Sequence, residues 1–263
     1  MSALAAAVAG LVGLLFGSFA NVVIHRVPRG ESVVSPPSAC PACATPIAAR
    51  DNVPLVGWLL LRGRCRHCGE PIPATYPLVE LATGVLWALV AGQLWADHPW
   101  AVPAYLAVAF ACLVLTVIDA RTRRLPDAIT KPAFVAVTAL LAVAAVAERA
   151  PWRLGRGLLA AALVGGLFWL VARLKPGWIG RGDVKLVPTL AVALGWLSWS
   201  ALAVGFYAAF VVGGLAGLYA MLVLRRSRKS ALPFGPSLAV GTVVGVLAAG
   251  PVAAWYAHFL TGG

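Results

Sequence analysis

Runs of about 20 apolar residues recur along this chain, and they limit what it can fold into. A helix needs about 20 such residues to cross the hydrocarbon core of a bilayer. Only 11% of the 263 residues are charged and the mean hydropathy is +0.88, whereas about 25% charged is usual for a soluble domain. We therefore predict an all-α, polytopic membrane helix bundle. About eight transmembrane segments are predicted, at residues 2–24, 77–96, 100–118, 128–147, 157–173, 184–197, 198–224 and 236–257.

The basic residues are concentrated in alternate connections between these segments. Loops 25–76, 119–131, 173–185 and 225–235 hold 18 of the 21 Lys and Arg residues. Short cytoplasmic loops carry this excess in membrane proteins, so we predict that these loops are cytoplasmic and that both termini lie outside. The same placement indicates that the +12 charge orients the chain in a lipid bilayer and does not bind nucleic acid.

The chain is predicted to have three parts. Residues 1–24 form a first transmembrane helix, which we expect to be retained because its basic residues follow it instead of preceding it. Residues 25–76 form a small cytoplasmic domain, since they are too many for an ordinary loop. Residues 77–263 form the remaining membrane domain. Within it, segment 184–197 is short for a crossing, and a half-helix or a steeply packed helix are both compatible with its length.

Four cysteines in the 25–76 domain occur as two CxxC pairs. They are Cys40 and Cys43, then Cys65 and Cys68, with 21 residues between the pairs. Two such turns can bring four thiolates to one tetrahedral Zn²⁺, which would be structural because no ligand position stays open. Two disulfides or loose redox thiols are the alternatives, and a reducing cytosol disfavours the disulfides. Trp58, Leu59 and Leu60 between the pairs form either a small core or a contact with the membrane surface.

Two of the nine acidic residues lie where apolar segments meet the cytoplasmic side. Asp119 ends the third segment in TVIDARTRRLPD (116–127), and Asp183 precedes the sixth in GRGDVKL (180–186). Acids at membrane level are costly unless they are paired or line a wet cavity, so they are functional candidates. Two facing carboxylates share a proton, and one can activate water while the other protonates a leaving group. Simpler roles stay open: Asp119 pairing with Arg121 or Arg123, and Asp183 as an N-cap.

Neighbouring residues have candidate supporting roles around Asp183. Gly180 and Gly182 suit a sharp bend or the close approach of a peptide. Lys185 lies within a helical turn of Asp183 and is a candidate to stabilise its charged form. Glu80, near the start of the second segment, is either a helix-start acid or a contact of the cysteine domain.

Five motifs, taken in order, resemble those of one family. They are GSFANVVIHRVPRG (17–30), CPAC through DNVPLVGWLLLRGRCRHCGEPI to YPLVE (40–80), IDARTRRLPD (118–127), GRGDVKL (180–186) and PFGPSLAVG (233–241). Over almost its whole length the chain is similar to the bacterial type IV prepilin peptidases, which are membrane aspartyl proteases of the GxGD type with two activities. The resemblance implies that Asp119 and Asp183 are the catalytic pair.

The resemblance also implies a substrate, a methyl donor and a location. Family members sit in the bacterial inner membrane and remove a short basic leader from prepilins or pseudopilins on the cytoplasmic side. They then methylate the new N-terminus with S-adenosylmethionine. Thr75 stands where the family commonly has Arg, a departure that concerns methyl transfer or the packing of the loop. No glycine-rich nucleotide-binding turn is visible, so the binding site for the methyl donor is not located by the sequence.

A proton-coupled transporter is the main alternative, because intramembrane acids also serve proton relays. Such a protein is expected to carry acids near the middle of its membrane segments and to show inverted sequence halves. The acids of this chain lie near segment ends, and its halves show no such relation. A protease is therefore the prediction that the sequence favours.

Overall fold

The computed structural model describes residues 1–225 and 233–261, with only the backbone given for residues 253–261. Arg226, Arg228 and Lys229, which belong to the predicted loop 225–235, lie outside the described residues. In the described part the chain is helical and has no strand, only two isolated β-bridges. The helices are α1 (Ser2–Arg26), α2 (Val56–Leu60), α3 (Thr75–Leu94), α4 (Val102–Thr122), α5 (Asp127–Ala147), α6 (Pro151–Leu174), α7 (Arg181–Leu197), α8 (Trp199–Leu222) and α9 (Gly235–Thr261).

Local sequence sets several of these helix boundaries. Pro151 occupies the first turn of α6, where a missing backbone N–H costs nothing. The Ser198 side chain accepts a hydrogen bond from the Ala201 backbone N–H and caps α8. At the end of α4, Arg123 adopts the left-handed conformation and its N–H donates to the carbonyl of Asp119. These boundaries fall within several residues of the predicted segments.

Seven of the described helices are long and apolar enough to cross a membrane, namely all except α2 and α7. The all-α membrane bundle is therefore confirmed. Helix α7 has 17 residues and is continuous, about 26 Å long at 1.5 Å per residue. Eleven of its residues are buried, so it is a packed helix and not a half-helix.

Backbone contacts divide the chain into two compact units, residues 1–96 and a second unit that begins at Asp97. In the first unit, α1 packs along α3 through small residues. A Cβ added to Gly17 would lie 2.5 Å from the Cα of Glu80, and one added to Gly13 would lie 2.9 Å from the Cα of Gly84. Such close approach of helix backbones is the role that glycine commonly has in membrane bundles.

The second unit is built around α7, which contacts α4, α5, α6, α8 and α9. Its C-terminal half packs on α6, where a Cβ on Gly195 would lie 2.4 Å from the Cβ of Ala160. At the same end, the Tyr105 hydroxyl of α4 donates to the carbonyl of Ala193, and the Arg156 guanidinium of α6 donates to that of Gly195. The helix that carries Asp183 is thus held on several sides.

Candidate active site and metal centre

Asp119 and Asp183 lie together because three helix ends meet at one end of the second unit. Asp119 is three residues before the end of α4, and Asp183 is the third residue of α7. Leu125, just after α4, packs against the start of α7 at Gly182. The N-terminus of α9 reaches the same place, where the Gly235 N–H donates to Asp119 Oδ2 at 3.2 Å. The charges of the two carboxyl groups are close enough to interact.

Both carboxyl groups are buried, and neither has a cationic partner in the part of the chain that the structure describes. Asp119 is 5% exposed and Asp183 is 8% exposed. Among the described residues no salt bridge includes either of them, so Asp119 does not pair with Arg121 or Arg123. Two buried acids without a counter-ion cannot both carry charge at low cost, and a shared proton removes that cost. An acid–base pair is the chemistry that this arrangement supports.

Asp183 does not act as the N-cap of α7. Gly180 occupies the N-cap position, and the Asp183 carboxylate lies beside it, since a Cβ on Gly180 would be 2.7 Å from Asp183 Oδ2. Asp183 is the third helical residue, the position from which an acid in a capping box faces the backbone of the cap. The positive end of the α7 dipole faces Asp183, so the helix supports negative charge there.

The two glycines of GRGD provide space and not an unusual backbone conformation. Gly180 has φ −62° and ψ 137°, which any residue can adopt. A Cβ there would lie 2.7 Å from Asp183 Oδ2, and one on Gly182 would lie 2.7 Å from the Cβ of Leu125. Side chains at these positions would displace the carboxylate and the helix contact, and the supporting role of Gly180 and Gly182 stays a prediction.

Lys185 faces a different acid from the one expected. Its ammonium group contacts Asp127 at the start of α5, and Asp127 also bonds Lys131 at 3.1 Å. The hypothesis that Lys185 stabilises Asp183 therefore needs correction, because the side chain is turned toward the neighbouring helix start. The ion pair between Lys185 and Asp127 ties α7 to α5 beside the carboxylates. Asp127 is the last residue of the motif IDARTRRLPD (118–127), but the sequence alone does not show that Lys185 is its partner.

Gly235 is a site residue to which the sequence argument gave no role. A Cβ at this position would lie 2.8 Å from Asp119 Oδ2. A side chain at position 235 would therefore clash with the Asp119 carboxylate, to which the backbone N–H of the same residue donates. Gly235 belongs to the motif PFGPSLAVG (233–241), but nothing in the sequence indicates that position 235 contacts position 119.

The four cysteines of the first unit come together as predicted. Cys40, Cys43, Cys65 and Cys68 place their sulfur atoms within 4.8 Å of one another, and all are free thiols. Four such thiols can hold a metal ion. Four sulfurs at 2.3 Å from a central Zn²⁺ would stand about 3.8 Å apart, and Cys40 Sγ and Cys68 Sγ are 3.7 Å apart. The residues present fit a tetrahedral ion of that size.

The two cysteine pairs form two copies of one small turn, a repeat that the sequence argument missed. CPACATPI (40–47) aligns with CRHCGEPI (65–72), and the shared pattern CxxCxxPI was its signal. In each copy the first cysteine N–H bonds the carbonyl five residues on, of Thr45 or Glu70. In each copy the fifth residue, Ala44 or Gly69, has a positive φ. The repeat gives the two halves of the site the same shape.

Hydrogen bonds around the sulfurs favour thiolates at two positions. The Thr45 side chain and backbone lower the pKa of the Cys43 thiol to about 6. The backbone groups of Cys68 and His67 lower the pKa of Cys65. For Cys68, a backbone hydrogen bond at Glu70 lowers the thiol pKa. Desolvation and the three neighbouring thiols raise it by more, so the pKa is about 12. Four crowded sulfurs cannot all ionise easily without a cation.

Glu80 contacts the cysteine domain, which settles the question left open about its role. Its Oε2 accepts a hydrogen bond from the backbone N–H of Leu55 at 2.8 Å, and the residue is 8% exposed. Leu55 directly precedes α2 and has φ 61° and ψ −50°, a strained conformation for a residue with a side chain. The buried carboxylate of α3 thus fixes where α2 begins.

Comparison with known protein families gives two matches. Residues 11–94 match the bacterial peptidase A24 N-terminal domain. Residues 106–220 match the type IV leader peptidase family. The first match includes the four cysteines and Glu80, and the second includes both aspartates.

Comparison with individual proteins gives relatives named prepilin leader peptidase/N-methyltransferase. The Aeromonas hydrophila protein is 34% identical, over 94% of this chain and 91% of its own length. The Klebsiella pneumoniae protein is 43% identical, over 73% of this chain and 85% of its own length. The Neisseria gonorrhoeae protein is 36% identical, over 91% of this chain and 89% of its own length. No solved structure matches the chain.

Proposed function

The chain belongs to the type IV leader peptidase family, and we propose that it cleaves the leader peptide of prepilins with Asp119 and Asp183 as the acid–base pair. The relatives are named for leader cleavage and N-methylation, and this chain is an enzyme with both activities. It lies in the inner membrane as a multi-pass protein, with seven helices suited to crossing. No comparison supports a transporter.

The observation that carries the proposal is a pair of buried carboxyl groups for which residues 1–225 and 233–252 supply no counter-ion. A structural acid at this depth would be expected to have a cationic partner. Asp127, only two residues beyond Leu125, does have such partners in Lys131 and Lys185. Asp119 and Asp183 have none among the described residues, although exposed arginines follow Asp119 in the sequence. Charge left uncompensated in this way is typical of groups that must exchange a proton.

The proposed reaction uses the two carboxyl groups in opposite protonation states. The charged one takes a proton from water, and the resulting hydroxide attacks the carbonyl carbon of the scissile peptide bond. The protonated one then gives its proton to the nitrogen of the leaving amine as the bond breaks. The Gly235 N–H and the N-terminus of α7 stabilise negative charge on Asp119 and Asp183 respectively.

The membrane orientation fits a substrate with a polar leader and an apolar helix. We propose that the cysteine domain, the end of α4 and the start of α7 face the cytoplasm, because the basic connections include 25–76, 119–131 and 173–185. We also propose that α7 crosses the membrane and is shielded from lipid by the five helices it contacts, which makes eight crossings and places both termini outside. A prepilin or pseudopilin helix would lie in the bilayer beside the bundle. Its leader would then reach the carboxylates at the membrane surface without a polar segment having to enter hydrocarbon.

We further propose that the four cysteines hold a structural Zn²⁺. The spacing of Cys40 and Cys68 sulfurs supports this ion, and the four thiolates leave no ligand position for water. The ion would fix the fold of residues 25–76 and take no part in peptide hydrolysis. S-adenosylmethionine is the proposed methyl donor, and its binding residues are left unassigned.

The test is incubation of the purified protein with a prepilin, followed by mass spectrometry of the product. We expect loss of the leader, and the further gain of one methyl group when S-adenosylmethionine is added, because the relatives are named for both activities. A prepilin already lacking its leader is the control and should gain only the methyl group. Reagents directed at catalytic serines should not inactivate cleavage, because no described serine bonds a histidine. Inactivation by such a reagent would contradict the two-aspartate proposal.

A further inference from the structure

The short helix α2 presents an apolar surface that no described residue covers. Leu59 is 65% exposed, Leu60 is 75% exposed and Val56 is 49% exposed. The other side of α2 is closely packed: a Cβ on Gly57 would lie 2.2 Å from the carbonyl oxygen of Asp51. The helix therefore has one fixed face and one unpartnered face. Three large apolar side chains in a five-residue helix need a nonaqueous partner or carry a cost.

The contact with Glu80 places α2 at the level of the membrane surface. Glu80 is five residues inside α3, about 8 Å from its start at Thr75. It packs against Gly17, which is nine residues, or about 14 Å, before the end of α1. The Leu55 N–H bonds the Glu80 carboxylate, so α2 begins beside the first two turns of α3 and not beyond its end. Helices that lie in the interface bury their apolar face about 5–10 Å deep.

The charges that follow α2 suit an anionic lipid surface. Arg62 and Arg64 come immediately after the helix, are exposed, and take part in none of the salt bridges among the described residues. Arg66, by contrast, pairs with Asp51 at 2.6 Å. Two free guanidinium groups next to an apolar helix match phosphates next to acyl chains, and each basic residue near an anionic leaflet contributes about 1 kcal/mol.

We propose that α2 is an interfacial wedge: Val56, Leu59 and Leu60 insert among the lipids of the inner leaflet, and Arg62 and Arg64 bind anionic headgroups. The buried Glu80 holds the wedge at this depth through Leu55, whose strained backbone is maintained by that hydrogen bond. The cysteine domain is therefore anchored to the bilayer at a third place, besides its connections to α1 and α3. The inference holds whether or not the aspartates are the catalytic pair.

The test uses the full-length, metal-loaded protein in lipid nanodiscs. A photo-crosslinking benzoylphenylalanine is placed at position 59 or 60, and at position 34 as the control. Val34 is also apolar, is 87% exposed, and lies in the same domain beyond the end of α1. In discs of equal parts phosphatidylcholine and phosphatidylglycerol, we expect lipid adducts at 59 and 60 that are several-fold more abundant than at 34.

A second measurement tests the arginines. In the mixed discs, the ratio of phosphatidylglycerol adducts to phosphatidylcholine adducts at position 60 measures the preference for anionic lipid. Arg62→Gln and Arg64→Gln should each reduce that preference by about fivefold, with metal content unchanged. An unchanged preference would overturn the headgroup assignment. The wedge would be overturned if positions 59 and 60 formed adducts with protein, whether a second copy, a prepilin or another part of the chain. Lipid adducts no more abundant than at position 34 would overturn it as well.

Discussion

The cysteine domain and the aspartate site are built in opposite ways. The cysteines lie in two copies of one local turn, each stabilised by hydrogen bonds within eight residues, and are brought together across 21 intervening residues. The aspartates are 64 positions apart on different helices and depend on contacts among α4, α7 and α9. Metal binding can draw a flexible segment together, because the ion itself supplies folding free energy. Two carboxylates repel each other and cannot draw their helices together, so the packing of the helices must bring them close.

Because the two sites are held together differently, they should respond differently to the loss of a residue. Loss of a ligand should disorder the cysteine domain, since four crowded sulfurs have little to hold them without a cation. Loss of an aspartate should leave the fold of the second unit intact and remove only chemistry, because no described cation depends on Asp119 or Asp183.

Asp119→Asn and Asp183→Asn should each abolish leader cleavage, with a fall of at least about 100-fold. Asparagine keeps the size of the side chain but cannot exchange a proton. Methylation of a prepilin that already lacks its leader should continue, which is measured by transfer of a labelled methyl group. Retention of a tenth of the normal cleavage rate by either variant would rule out the pair.

Cys40→Ser or Cys65→Ser should release the metal and disorder residues 25–76. The free energy that a structural zinc contributes is about 10 kcal/mol in small domains, so the fold of this segment should not survive its loss. Metal content is measured by elemental analysis, and the order of the segment by hydrogen exchange. Cys112→Ser, at a buried cysteine in α4 outside the cluster, should leave the metal in place.

The same cysteine variants should separate the two activities. We expect methylation to fall further than cleavage, because the aspartates lie in the other unit of the chain. Both activities are measured on one preparation. An equal fall of both would show that the cysteine domain supports the whole enzyme, and intact methylation would exclude a role in methyl transfer.

Gly235→Ala should lower cleavage by about 10-fold or more without changing the metal. The added Cβ would lie 2.8 Å from Asp119 Oδ2, so either the carboxylate or the start of α9 must shift, and small misplacements of catalytic groups are costly. Gly214→Ala is the matched control, because a Cβ there would have no atom within 4 Å. Equal rates for the two variants would remove Gly235 from the site.

Arg66→Gln should have the smallest effect, a fall of a few degrees at most in the unfolding temperature measured in detergent. Arg66 holds the pKa of Asp51 below its usual value, so their pair stabilises the domain above the ordinary Asp pKa of about 4 and loses that contribution as the pH falls further. Exposed pairs contribute little. Metal content should not change, whereas loss of the metal would show that this pair supports the cysteine site.

Sequence patterns predicted much of both sites. The apolar runs gave the helices to within several residues, because a helix that meets lipid must be apolar along its length. The CxxC spacing predicted the cluster, because metal ligands in tight turns have fixed geometry. The scarcity of acids singled out Asp119 and Asp183. The repeated CxxCxxPI turn was nevertheless not predicted, and Lys185 was expected beside Asp183, an acid two residues away along the chain, although it contacts Asp127.

The residues alone predict the helical membrane bundle, the four-cysteine cluster and the candidate acids. Three contacts are seen only once the helices are packed: Lys185 with Asp127, Gly235 with Asp119, and Glu80 with the start of α2. They could not be predicted, because the partners lie far apart along the chain. Periodicity and ligand spacing are local properties, whereas these three contacts join residues that are 25 to 116 positions apart, and only the packing of helices brings them together.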